Sequence, residues 1–223
     1  MPSQTFFNLP EPKREALIKI AIEEFSTHDY DTASISRVVR ETGIAKGSFY
    51  QYFQDKKDLY VYLLSLLSEA KLDYLQQTPM LKAEMDCYEY LTWLFNVNLN
   101  FDKTHPVLSR LAYRAFYGNS SFTDPEIAEI KQASSKFIHQ IVIRGIESGD
   151  IKPDIDPDLA VFVVDTLVNA FNHYIPQKVG TTPDTLAAEG SSSLDDESAK
   201  ETFDELMQII KFGLLGQENN YQK

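Results

Sequence analysis

The sequence predicts an all-α fold of about nine helices, divided into an N-terminal three-helix domain over residues 1–56 and a larger helical domain over residues 57–223. Three observations carry that prediction. Apolar residues recur at spacings of three and four along most of the chain, as they do on amphipathic helices. Proline, glycine and capping residues punctuate those runs where helices should start and stop. No stretch alternates apolar and polar residues over the length of a strand, and no internal repeat is visible. A hydrophobic fraction of 43% in 223 residues is enough for a proper core.

The elements follow in order. Pro10 and Pro12 flank the start of a first helix, Lys13 to about Thr27, whose Leu17, Ile20, Ala21 and Phe25 form one stripe. Ser34 is placed to N-cap a second helix in which Ile35, Val38 and Val39 share a face. Gly43 stands where a chain leaving a helix needs a left-handed residue, and Ile44 returns an apolar side chain to the core. A third helix, Ala45 to Gln51, has almost no bulky aliphatic residue on its leading turn. Lys46, Gly47 and Ser48 offer there a cation, a close-approach backbone and a hydroxyl. Phe49 and Phe53, four apart, suit inward packing, while Tyr50 and Tyr52 can hold phenols outward. Two short helices joined by a glycine turn at roughly 90 to 120° free the second helix to enter a DNA major groove. Lysine, serine and backbone at its start suit base edges and phosphates.

Lys56 to about Gln76 reads as one long helix, ended by Pro79. Met85 to Phe101, His105 to Tyr117 and Pro125 to Glu147 follow, the last stopped by Gly149. Asp156 and Pro157 are placed as N-cap and first residue of the next helix, Asp158 to about Ile175. From Gly180 to Asp196 the composition turns to Gly, Ser, Thr, Pro and Asp and reads as a mobile surface loop. Ser198 and Glu201 form a capping box for the last helix, which carries Phe203, Leu206, Met207, Ile210 and Leu214 and ends near Gly216.

The stretch GIAKGSFYQYFQDKKDLY, with the upstream AIEEF and YDTASISRVV, closely resembles the DNA-binding domain of the tetracycline-repressor (TetR) family of bacterial transcription regulators. The resemblance covers roughly residues 12 to 60; beyond them it is one of helical layout alone. Ala45 departs from the pattern, standing where many members carry Ser or Thr as N-cap of the recognition helix. That absence costs about 1 kcal/mol of helix stability. What the resemblance implies is a ligand-responsive regulator, a repressor, that binds a palindromic operator in double-stranded DNA as a homodimer and is released by a small-molecule effector of unknown identity. Dimerisation is expected through the eighth and ninth helices. The DNA-contacting candidates are Thr32, Ser34, Ser36, Arg37, Ala45, Lys46, Gly47, Ser48, Tyr50, Gln51, Tyr52 and Lys56.

Charge refines that expectation. The net charge is −12, whereas phosphate neutralisation supplies much of the affinity for DNA. Residues 1 to 60 carry 8 Lys and Arg against 9 Asp and Glu, and the remainder 13 against 24. The acidity is therefore concentrated C-terminally, leaving a small basic footprint around the motif. One cysteine, Cys87, excludes an intrachain disulfide. A reduced cytoplasmic setting is expected, with no signal peptide, membrane partner, metal or cofactor.

Effector-binding candidates come from two places. In the helix after Asp158, the polar residues Asn169, Asn172 and His173 gather with Phe162 on a narrow side, facing solvent, a ligand cavity or a dimer seam. Arg110 and Arg114, with Tyr113 and Tyr117, could fork onto the carboxylate of an acidic or acyl effector, or pair with nearby acids. Trp93, Phe95, Phe101, Phe137 and Phe162 either line an apolar pocket or fill the core. An enzyme built on His105 or His173 with Cys87 lacks any recognisable pairing, glycine loop or metal motif. A helix-turn-helix protein acting through protein partners, without a small effector, is the other alternative.

Overall fold

A computed structural model of the chain describes residues 1–80, 85–117, 125–178 and 196–212, and those residues form ten helices and no strand. In chain order they are α1 (Gln4–Phe7), α2 (Glu11–Thr27), α3 (Ile35–Thr42), α4 (Lys46–Tyr52) and α5 (Lys56–Gln77). Then come α6 (Cys87–Thr104), α7 (Pro106–Tyr117), α8 (Pro125–Ser148), α9 (Pro157–Lys178) and α10 (Asp196–Phe212). The short α1 is additional to the predicted set. The expected loop up to Asp196 and the expected end near Gly216 lie outside the described residues. Ser198 is not the cap of the last helix: it lies inside α10, and Thr202 Oγ1 donates to its carbonyl.

Two compact units divide the chain. The first holds α1 to α5, α6 from Val97 onward, α7 and α8 as far as Ala133. Its core is an aromatic and leucine hub. Phe6, Phe25, Phe49, Phe53, Leu17, Leu59, Leu63, Leu64 and Leu67 are almost wholly buried, and α7 adds Leu111 and Ala112. Their spacing explains the sharing: Leu17, Ala21 and Phe25 make one face of α2, Val38 and Val39 one face of α3, and Phe49 the inner face of α4. Within this unit α2 packs against α7 as well as against α3 and α5.

The second unit holds Met80–Asn96, α8 from Ser134, α9 and α10. Its core is Leu91 from α6, Ile138, Ile141 and Val142 from α8, Val164 from α9, and Ala199, Phe203 and Met207 from α10. Phe95 stacks on Phe203 with ring centres 3.9 Å apart and planes 6° from parallel. Asp156 caps α9 as its position suggests, accepting the Leu159 N–H at 2.8 Å. No helix among the described residues is long and apolar enough to cross a membrane.

Candidate nucleic-acid interface

The turn between α3 and α4 is built as its sequence suggests. Ser34, in extended backbone, accepts the Arg37 N–H on its Oγ at 3.4 Å. Gly43 closes α3 at φ 69°, a left-handed conformation that a side chain would strain. Val38 and Phe49 are fully buried, so the two inner faces are fixed against the hub. The outward faces carry Thr32, Ser36, Ala45, Lys46, Gly47, Tyr50 and Gln51, all exposed, with Ser34, Ser48 and Tyr52 half-buried.

Two expected DNA contacts have other partners. The Arg37 guanidinium forks onto Glu24, with Nε 2.9 Å from both carboxylate oxygens and Nη2 2.6 Å from Oε1, and it also donates to the Thr32 carbonyl. Lys56 donates to the Asp31 carbonyl at 3.2 Å and lies over the Tyr30 ring, 4.7 Å from its centre. Both cations therefore grip the α2–α3 loop. Burial in that setting pushes the Lys56 ammonium pKa down, against the raising charges of Asp31 and Glu24. The grip leaves Lys46 as an exposed cation on the leading turn of α4.

Glu24 is the residue that the sequence pattern hid. The residue is 9% exposed, and its carboxylate accepts the Ser34 N–H at 2.6 Å and the Arg37 fork, with His28 Nδ1 3.6 Å away. Burial raises its pKa, but the hydrogen bonds from Arg37 and Ser34 and the charges of His28 and Arg37 outweigh that, and the group sits below the ordinary carboxyl value. A negative charge at this place also complements the N-terminal dipole of α3. The available signal was positional: Glu24 falls seven residues after Leu17 and three after Ala21, on the apolar stripe of α2.

The leading turn of α4 breaks local helix rules. Ala45 is its N-cap and offers no side-chain acceptor, Lys46 puts a cation at the positive end of the helix dipole, and Gly47 follows. A Cβ added at Gly47 would meet nothing within 4 Å, so packing inside the chain does not require glycine there. Such conflicts with local stability, on an exposed surface, are typical of functional sites.

The described effector candidates fall in both units. Arg114 donates from Nε to the Ser26 carbonyl and from Nη1 to Asp29, both at 2.8 Å, so it caps the C-terminal end of α2. A cation there satisfies an orphan carbonyl and the helix dipole together. Arg114→Ala is expected to lower the unfolding free energy of this unit by about 1 to 3 kcal/mol. Arg114→Lys restores only part of it, since a point charge cannot reproduce the divergent fork. Urea titration of the two variants beside wild type measures both. Arg110 and Tyr113 lie half-buried on the same helix. Phe101 is core, stacked on His105 at 4.5 Å. In the second unit Trp93 is buried beside Tyr90. Phe137 and Tyr90 line a cavity of about 140 Å³ with Cys87, Gln140, Arg144 and Asp150. Burial, aided by Asp150 and Asp86, pushes the Cys87 thiol up to about 11, which makes it a poor nucleophile. Phe162 is 65% exposed, because the apolar surface of α9 is wider than one core face can cover. The side chains of Tyr117, Asn169, Asn172 and His173 lie outside the described residues. Among the described residues no cluster of three or more His, Cys, Asp or Glu could hold a metal ion.

A short helix presented on a glycine turn, with its polar start free and its inner face locked, defines a helix-turn-helix DNA-binding protein. Residues 17–63 match the model of bacterial regulatory proteins of the tetR family, and residues 85–214 that of the tetracyclin repressor-like C-terminal domain. The chain belongs to the TetR family and is a ligand-responsive transcriptional regulator, not an enzyme. A TetR family regulator from Chloroflexus aurantiacus is 38% identical, covering 96% of this chain and 98% of its own, with a TM-score of 0.74. The fatty acid metabolism regulator protein of Bacillus subtilis is 25% identical over 153 residues, 67% of this chain and 76% of that protein. The fold is also shared with FadR from Bacillus subtilis in complex with stearoyl-CoA, at a TM-score of 0.66 and 18% identity over 90% of this chain and 99% of that one.

Proposed function

We propose that the protein is a homodimeric repressor, acting in the cytoplasm, that reads a palindromic operator with α4 and releases it when a small effector binds the C-terminal helices. The observation that carries the reading is the leading turn of α4, where Ala45, Lys46 and Gly47 sacrifice helix stability on an exposed surface. Lys46 and Ser48 reach base edges or phosphates, Gly47 lets a phosphate approach the backbone, and Tyr50 and Gln51 fix the register. Thr32 and Ser36 flank them from the preceding loop and α3. Arg37 and Lys56 act one step back, holding the α2–α3 loop. The Arg114–Asp29 pair gives a shift of α7 a direct purchase on the same loop, which is a route for effector release. By linkage, an effector that weakens operator binding is itself bound less tightly by the operator complex.

Homodimerisation is supported by α9. Leu159, Phe162, Val163, Thr166, Ala170 and Tyr174 recur at spacings of three and four and are all exposed, and Ile209 and Phe212 on α10 are exposed as well. An apolar stripe of that extent on one chain fits a second copy. Two-fold pairing also places two recognition helices on half-sites one turn apart.

The test is a mobility-shift titration on DNA flanking the protein's own gene, with three proteins. Lys46→Ala is expected to weaken binding by about five- to a hundredfold and, because a dimer loses two lysines, to reduce the salt slope by about two, with no loss of fold. Gly47→Ala should stabilise the free helix by about 0.5 to 1 kcal/mol and still weaken binding. If both variants bound as wild type, α4 would not be the reader and a protein partner would be the better assignment. A long-chain acyl-CoA is the first effector to try, because the Bacillus subtilis FadR structure holds stearoyl-CoA.

A further inference from the structure

The recognition helix has a second anomaly, at its other end. An α-helix leaves its last carbonyls without intrahelical partners, and a helix of seven residues with no N-cap side chain has little stability of its own. In α4 two of those carbonyls are met by one residue 48 and 49 positions earlier in the chain. Ser3 Oγ donates to the Gln51 carbonyl at 2.5 Å and Ser3 N–H donates to the Tyr52 carbonyl at 2.8 Å.

The segment that carries Ser3 is itself anchored. Phe6 is fully buried, with its ring centre 5.0 Å from Phe53, 5.6 Å edge-on from Tyr62 and 6.4 Å from Tyr52. Asn8 N–H and Leu9 N–H close back on the Gln4 and Phe6 carbonyls, so α1 is a finished turn. Arg14 Nη1 donates to the Phe7 carbonyl at 3.2 Å and ties that turn to α2. The geometry is that of a strap: Phe6 is driven into the hub while Ser3 sits over the end of the reading helix.

We propose that residues 2–8 form a brace that holds the recognition helix in its reading orientation, and that Ser3 is a positioning residue for operator binding. Ser3 acts through Gln51 and Tyr52 and does not touch DNA. Its two donors replace the local stability that Ala45, Lys46 and Gly47 forgo, so α4 can keep a leading turn chosen for DNA. The DNA part of this inference rests on the reading of α4 given above, whereas the bracing part does not.

Three full-length variants test it. Ser3→Thr keeps both donors. Ser3→Ala removes the hydroxyl. Ser3→Pro removes both, and the backbone tolerates it because φ at Ser3 is −71°. In the free protein, amide exchange at residues 49 to 53 is expected to quicken about two- to fivefold in Ser3→Ala and about tenfold in Ser3→Pro. Exchange in α2 and α9 should stay as in wild type. Operator affinity should fall in the same order, and Ser3→Thr should match wild type in both measurements. Unchanged α4 exchange in Ser3→Pro would overturn the brace. Weaker operator binding with unchanged exchange would make Ser3 a direct DNA contact and overturn its positioning role. Faster exchange with undiminished operator affinity would break the link between brace and reading. Should wild type bind no operator, the exchange data would still decide the brace, and the reading of α4 would fall by itself.

Discussion

Phe162→Glu is expected to convert the protein into a monomer and to lower operator affinity by about a hundredfold or more. The magnitude follows from the loss of two-site binding, which is worth about 10² to 10⁴ in effective affinity when two modules are joined in the right geometry. The substitution is clean because Phe162 is 65% exposed on a single chain. A surface change of that kind normally shifts the chain's own stability by only about 0.5 kcal/mol. The carboxylate would instead lie in the middle of the stripe formed by Leu159, Val163 and Tyr174, where pairing would bury it without a partner. Sedimentation or light scattering of Phe162→Glu, run beside an operator titration, separates the cases. A variant that stays dimeric would place the seam elsewhere on the molecule, and a monomer that bound the operator as tightly as wild type would remove the need for two-fold reading.

Glu24→Ala is expected to destabilise the reading head by about 2 kcal/mol. It leaves the part-buried Ser34 N–H without its side-chain acceptor and removes the anchor of the Arg37 fork, so the N-cap residue of α3 and the α2–α3 loop each lose a hold. The sign of the pH dependence follows from the lowered carboxyl pKa. The unfolded state holds the Glu24 proton more tightly than the folded state, so the contribution of this group is fully present above the ordinary value of 4.5 and is lost as pH falls through the lower folded value. Urea unfolding in acid, followed through α3 amides, should show stability declining below that pH in wild type. In Glu24→Gln, which cannot titrate, this part of the decline should be absent. An equally steep decline in Glu24→Gln would assign the acid sensitivity to other carboxylates.

Much of this was legible in the chain, for reasons that differ from residue to residue. Ser34, Gly43 and Asp156 act on neighbours within four residues, so their capping roles follow from local sequence. The long α5 and the inward pair Phe49 and Phe53 follow from helical spacing. What could not be read were pairings across the chain. Glu24 meets Arg37 across 13 positions, Arg114 meets Asp29 across 85, and Ser3 meets Gln51 across 48. Each depends on packing that brings distant segments together, and no local pattern encodes a partner. For Arg37 and Lys56 the charge and its distance from the motif were legible, whereas the carboxylate and the loop carbonyl that packing brings within their reach were not. The short α1 escaped for another reason: four residues carry no helical period. Phe162 shows a third limit, since the pattern that marks it as apolar does not say that its own core leaves it exposed.

The most direct test of the central claim is a hydroxyl-radical footprint of the wild-type protein and of Lys46→Ala on the DNA flanking the gene. Two protected patches related by a dyad and centred one helical turn apart, about 34 to 36 Å, are the expected result, with both lost together in Lys46→Ala at protein concentrations that saturate wild type. A single asymmetric patch, or protection unchanged in Lys46→Ala, would contradict the account.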